Sequence, residues 1–126
     1  MDKYYYKKAL LGIRLKFFAQ GSVPVTDAAQ PLQVLSLKHK KGKYVKPHLH
    51  IPRQRKTGKL SECLIVRKGE IEIGLYGSDK KHFKDITLKA GELFILMNGG
   101  WAVRFLKDSE VFEIKNGPFL KDETEI

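Results

Sequence analysis

Hydrophobic and polar residues alternate along much of this chain, the pattern of β-strands with one buried and one exposed face. The alternation is clearest at 13–17, where apolar and basic residues take turns, and it recurs at 34–38, 71–73 and 111–114. No segment keeps a sustained helical period, although residues 2–11 are compatible with one short helix. The pattern therefore predicts an all-β protein.

Turn-forming residues separate the predicted strands. Groups that each contain glycine occur at 21–24, 41–43, 68–70, 77–80, 89–91 and 98–100. Their spacing of about ten residues is typical of a sandwich or barrel built from hairpins. A chain of 126 residues, 42% of them hydrophobic, suits one domain with one sizeable core. We divide it into an N-terminal arm and first strand (1–30), a barrel core (31–118) and a polar tail (119–126).

The location of the protein follows by elimination. Cys63 is the single cysteine, so there is no internal disulfide and the chain fits a reducing compartment. The basic N-terminus is followed by an apolar segment that Arg14 and Lys16 interrupt, which argues against a signal peptide. No stretch approaches the roughly 20 apolar residues of a membrane span. We therefore expect a cytoplasmic protein without a membrane partner.

Three potential metal ligands lie in the middle of the chain. His48 and His50 are two residues apart, so on a strand both imidazoles would project from the same face. Glu62 begins the apolar run 63–66, which brings its carboxylate beside the imidazoles if that run pairs near the histidine strand. Two imidazoles and one carboxylate resemble the facial triad that leaves coordination positions open. The alternative is three polar side chains hydrogen-bonded within a sheet.

The spacing around these residues resembles the first motif of the cupin superfamily: Gly, five residues, His-x-His, then Glu, six residues, Gly. In this chain the motif reads Gly42, His48, His50, Glu62 and Gly69. Residues 88–96 are similar to the start of the second cupin motif. The resemblance implies a small jelly-roll barrel of two sheets, often dimeric, whose site lies inside the barrel mouth.

Two positions depart from the cupin pattern. A basic insertion, residues 51–60, separates His50 from Glu62, and Ala102 stands where the second motif commonly has its last histidine ligand. The remaining ligands, His48, His50 and Glu62, would leave an open site for zinc, iron, manganese or nickel. Glu62 is also the candidate catalytic group, as a metal ligand or as a proton acceptor. A site lacking one donor can equally hold metal weakly or not at all.

The charge of the chain favours an anionic ligand. Lys and Arg number 24 against 14 acidic residues, a formal net charge of +10, and the densest basic cluster flanks the histidine pair. The alternative is that most of these lysines form solvated loops and strand edges. Candidate ligand-binding residues at the barrel mouth, which offer cationic donors and one stacking surface, are Tyr44, Lys46, Arg53, Arg67, Trp101 and Arg104.

Three functions remain open. The first is a metal-binding cupin that acts on or binds a small anionic metabolite, such as a sugar derivative or a keto acid. The second is a cupin that binds such a ligand without catalysis. The third is a basic nucleic-acid-binding barrel, which ranks last because the aromatic residues do not interleave with the basic cluster. We expect a small-molecule ligand and a homodimer, and whether the protein is an enzyme stays open.

Overall fold

All of the regular secondary structure of the chain is antiparallel β-sheet. The computed structural model describes residues 1–126 and contains ten strands and no helix, which confirms the all-β prediction. No helix is therefore present that is long and apolar enough to cross a bilayer. The strands are β1 (Asp2–Tyr6), β2 (Ala9–Leu15), β3 (Gly21–Pro24), β4 (Leu35–Lys38), β5 (Glu62–Lys68), β6 (Glu70–Tyr76), β7 (His82–Lys89), β8 (Leu93–Leu96), β9 (Gly100–Phe105) and β10 (Glu110–Lys115).

The strands form two main sheets and a separate ribbon. The larger sheet has the order β1-β2-β8-β5-β10, the smaller has the order β7-β6-β9, and β3 pairs with β4 alone. Short turns carry the chain from one main sheet to the other between β5 and β6 and between β7 and β8. No strand of one main sheet pairs with a strand of the other, so the architecture is that of a sandwich and the expected closed barrel is not formed.

The main core fills the space between the two sheets. Alternate residues of β5 and β6 enter it, among them Leu64 and Val66 from one strand and Ile71 and Ile73 from the other. Phe94 of β8 is fully buried there. Because successive strand residues point to opposite faces, the period-two pattern of the sequence directly selects these core side chains.

The opposite face of the larger sheet carries a second apolar cluster. It contains Ile13, Cys63 and Ile95 from three neighbouring strands, and Val25, which lies just beyond β3, packs over them. Burial raises the pKa of the Cys63 thiol to about 12, so the thiol stays protonated at neutral pH. Cys63 is thus a small core residue rather than a reactive nucleophile.

Two local predictions are wrong. Residues 2–11, considered for a short helix, form most of the β1–β2 hairpin, whose turn residues Lys7 and Lys8 have φ of 47° and 67°. Tyr4 becomes buried against Phe94, with ring centroids 6.0 Å apart, and this contact favours the strand. Residues 21–24, predicted as a turn, form β3, where Pro24 is tolerated because the two-stranded ribbon leaves one side of each strand unpaired.

The sheet packing predicts that a methyl group at Gly12 is not tolerated. A Cβ added there would lie 2.6 Å from the carbonyl oxygen of Ile95 and would also meet the Phe94 ring, so Gly12→Ala must shift backbone in the middle of β2. We expect a loss of about 1–3 kcal/mol in the free energy of unfolding, measured by urea titration. Gly58→Ala is the matched control because no atom lies within 4 Å of its added Cβ. Equal stability of the two variants would contradict this packing.

Candidate functional site

Glu62 is placed at the open end of the space between the sheets. It begins β5 and has the same strand parity as the core residues Leu64 and Val66, so its side chain leaves the larger sheet on the inner face. The edge strand β10 runs beside it, with Lys115 directly opposite Glu62 and Glu113 opposite Leu64. A carboxylate therefore continues a row of apolar side chains, with one ammonium group and one further carboxylate next to it.

This environment makes Glu62 an unusually weak acid. Its pKa is raised from 4.5 to about 7, mainly because burial disfavours the charged carboxylate. The Glu113 carboxyl, which shares a hydrogen bond with it, adds to the rise by hydrogen bonding and by charge repulsion, whereas Lys115 opposes it. Strongly shifted acids in a cleft are typical of functional sites, although buried structural carboxyls show the same shift.

A large cavity opens beside Glu62. Its volume is about 980 Å³, which lies within the usual range of small-molecule sites. Residues 57–60 form one wall, and Lys115 together with residues 116–125 forms the other. The segment expected to be only a polar tail thus supplies much of the cavity lining.

Asn116 joins the two walls of the cavity. Its side-chain oxygen accepts a hydrogen bond from the Ser61 N–H at 2.8 Å, and its amide nitrogen donates to the Lys59 carbonyl at 3.1 Å. It also contacts the Thr57 hydroxyl at 3.3 Å. One side chain at the end of β10 therefore fixes the loop that precedes Glu62, which holds the approach to the carboxyl in place.

Most of the residues that line the cavity carry a polar or charged group. Only three of the sixteen are hydrophobic, so the cavity offers hydrogen-bonding groups to a polar ligand beside the apolar parts of these side chains. The cationic donors Lys59, Lys115 and Lys121 can bind a carboxylate or a phosphate. The acidic groups of the lining are Glu62, Asp122, Glu123 and Glu125, which can accept hydrogen bonds from ligand hydroxyl groups.

The two histidines do not lie on a strand, and this expectation is wrong. No strand occurs between β4 and β5, and both residues are exposed in an irregular segment. Pro47 and Pro52, which bracket the pair, have no N–H to donate to a sheet ladder, which disfavours a paired strand here. Neither His48 nor His50 lines the cavity of Glu62.

The predicted metal triad is not assembled. His48 and His50 have ring centroids 5.6 Å apart, and the His48 Nδ1–H donates to the Lys46 carbonyl at 2.9 Å, which leaves Nε2 free to bind an ion. No group of three His, Cys, Asp or Glu side chains in the structure is arranged to hold a metal. The pair therefore fits part of a metal site, Glu62 does not complete it, and no catalytic step through a metal follows from this arrangement.

The predicted ligand-binding residues are dispersed. Tyr44, Lys46 and Arg53 are exposed in the irregular segment with the histidines. Arg67 lies near the other end of β5, roughly 16 Å along the strand from Glu62, and its Nε donates to the Glu110 carboxylate at 2.7 Å. The structure does not bring these residues together around Glu62.

The β9 residues are also divided between two faces. Trp101 is half-buried and packs on Phe94 with ring centroids 6.1 Å apart, so it belongs to the core. Ala102 and Arg104 have the opposite parity and are exposed on the outer face, where Ala102 pairs with Gly74. The position of the usual second-motif histidine therefore points away from the face that carries Glu62.

The residues that sequence reasoning missed are Glu113, Lys115 and Asn116. The alternation at 111–114 places Glu113 on the same face as Val111. This pattern predicts the face of the strand on which Glu113 lies, but it does not predict which residue of another strand lies beside it. Their contact with the Glu62 region depends on the register between β5 and β10, about 50 residues apart in the chain, and no local pattern fixes that register.

No protein-family model, curated protein or solved structure matches this chain.

The pKa of Glu62 predicts a pH dependence of stability. Because the folded-state pKa lies above the unfolded value, the folded protein holds more protons between pH 4.5 and about 7, and the contribution of Glu62 to stability falls as the pH rises through this window. Glu62→Gln removes that loss. We expect the melting temperature of the variant, relative to wild type, to increase from pH 5 to pH 8.

The measurement is a thermal melt at each pH in EDTA, so that bound metal does not contribute. Glu72→Gln, which removes a carboxylate from the outer face of β6, is the matched control. A difference between Glu62→Gln and wild type that does not change between pH 5 and pH 8 would contradict the environment described for Glu62.

Proposed function

We propose that this chain is a small cupin-like β-protein that binds a small polar, anionic metabolite, such as a sugar derivative or a keto acid, in the cavity beside Glu62. The observation that carries the proposal is the position of Glu62 and Lys115, which face each other across β5 and β10 at the entrance to a large polar cavity. In this role the protein binds its ligand and need not transform it.

Two kinds of side chain in the cavity recognise different parts of the ligand. Lys59, Lys115 and Lys121 supply cationic donors for the carboxylate or phosphate of the ligand. The carboxyl group of Glu62 offers oxygen atoms to ligand hydroxyls, and because Asn116 fixes the preceding loop, less ordering is required on binding.

The cupin part of the proposal has support from the second half of the first motif. Glu62 begins β5, the turn falls at Gly69 with a φ of +92°, and β6 follows at once. Gly69 suits this turn because an added Cβ would lie 2.6 Å from the Asp108 carbonyl oxygen and side chains rarely adopt this φ. The two-sheet architecture is also compatible with a jelly roll.

Ligand binding predicts a thermal shift that depends on Lys115. Glucose 6-phosphate, UDP-glucose and 2-oxoglutarate are suitable probes because they present phosphate or carboxylate groups on polar frameworks. We expect at least one of them at millimolar concentration to raise the melting temperature by about 2 °C or more, and Lys115→Gln to abolish the shift.

Lys68→Gln is the matched control for this experiment, because it removes the same charge at the opposite end of β5 and should keep the shift. A shift that survives Lys115→Gln, or no shift with any of the three probes, would overturn the assignment of this cavity.

A second candidate function is metal binding at the histidine pair. The observation that favours it is the proximity of the two imidazoles together with the His48 Nδ1–H bond to the Lys46 carbonyl, which presents Nε2 as a ligand. Elemental analysis of the purified protein would then find close to one ion of zinc, iron, manganese or nickel per chain.

The control variants decide between a specific site and adventitious metal. His48→Ala should remove the ion, and His39→Ala, whose imidazole contacts the Ser22 hydroxyl, should retain it. Protein that contains no metal, or equal loss from both variants, would exclude this second function.

A further inference from the structure

Nearly all of the excess of positive charge lies in one segment. Residues 38–59, here called the basic segment, contain nine of the 24 Lys and Arg residues and none of the 14 acidic residues. The rest of the chain carries 15 basic and 14 acidic residues and is close to neutral. The nine are Lys38, Lys40, Lys41, Lys43, Lys46, Arg53, Arg55, Lys56 and Lys59.

None of these nine charges is paired within the protein. The ion pairs of the structure all lie outside the basic segment. Like charges held together without counterions cost electrostatic free energy, which a polyanion recovers on binding. The sequence alone shows where the basic residues cluster, and the structure adds that the rest of the fold does not neutralise them.

The backbone of the segment is also largely unpaired, and only Lys38 lies in a strand. Between β4 and β5, the only backbone-to-backbone hydrogen bond joins the Lys43 N–H to the Lys40 carbonyl. Residues 39–58 are all exposed, and Pro47 and Pro52 disfavour a helix across the middle. The segment thus presents many free N–H donors on an exposed, irregular chain.

Flat rings stand among these charges. Tyr44 is 69% exposed, and His48 and His50 are exposed nearby. Tyrosine and histidine rings stack on unpaired bases, and an extended cationic segment follows a sugar-phosphate backbone. Counted together, the rings of Tyr44, His48 and His50 do interleave with the basic residues between Lys43 and Arg53.

We propose that the basic segment binds single-stranded nucleic acid, independently of the cavity beside Glu62. The cations bind phosphates, the free N–H groups donate to phosphate or base oxygens, and the rings stack on bases. A lipid surface fits less well, because segments that lie on membranes usually present the apolar face of a helix. Here the structure has no helix and the two prolines oppose one.

The first test is fluorescence anisotropy with labelled rU20 and dT20 between 50 and 300 mM KCl. Each phosphate contacted contributes about −0.7 to the slope of log affinity against log salt for a single strand. In Lys40→Gln/Lys41→Gln/Lys43→Gln we expect the slope to fall in magnitude by about 2 and the affinity at 50 mM KCl to fall at least tenfold.

The matched control removes three charges elsewhere. Lys3→Gln/Lys68→Gln/Lys89→Gln changes exposed lysines that form no ion pair, so it should keep the affinity of the wild type within about threefold. Both variants should fold, because neither set forms side-chain hydrogen bonds with the sheets. Equal losses in the two variants would show a non-specific effect of net charge and would overturn the proposal.

A ring variant separates stacking from charge. Tyr44→Leu should weaken binding about fivefold or more without changing the salt slope, whereas Tyr5→Leu, an exposed tyrosine on β1, should have no effect. Binding to phosphatidylserine vesicles without binding to either oligonucleotide would assign the segment to a membrane instead. No oligonucleotide binding at 50 mM KCl would also overturn the proposal.

Discussion

The alternation of side chains along β5 is the constraint on which the rest of the structure depends. This strand pairs with β8 on one side and β10 on the other, and it sends Leu64 and Val66 into the core between the sheets. The same parity fixes Glu62 on that inner face at the end of the strand. The tight turn at Gly69 then delivers β6 to the facing sheet, so one strand determines both the core and the site.

The properties of Glu62 follow from that placement. A carboxyl group at the end of an apolar row loses part of its hydration, and Lys115 across the ladder compensates it only in part because Glu113 lies on the same face. Burial raises the pKa of Glu62 and Lys115 lowers it, and because the effect of burial is the larger one, Glu62 becomes a weaker acid. The cavity exists because the loop before β5 and the chain after β10 extend beyond the sheets, where Asn116 joins them.

Local pattern was enough to predict the all-β class, several of the strands and most of the turns, because period-two alternation and glycine positions are properties of neighbouring residues. It was also enough to place Glu62 at the start of a strand that continues through the apolar run 63–66. It failed for His48 and His50, where an i, i+2 spacing implies a shared face only if a strand forms, and no partner strand lies beside Pro47 and Pro52. It also failed for Lys115 and Asn116, because strand register between distant segments is set by packing that no short window contains.

The distribution of charge separates two kinds of surface in one small protein. The sandwich is nearly neutral and pairs several of its charges internally. In the function that we propose, its cavity would recognise a ligand by the position of individual groups such as Lys115. The basic segment has no such ion pairs and, beyond Lys38, no regular backbone, and its attraction for anions acts over a distance of about 10 Å in ordinary salt. The binding that we propose at the cavity would therefore depend on geometry that the β-sheets maintain, whereas the binding that we propose at the segment would depend on charge density.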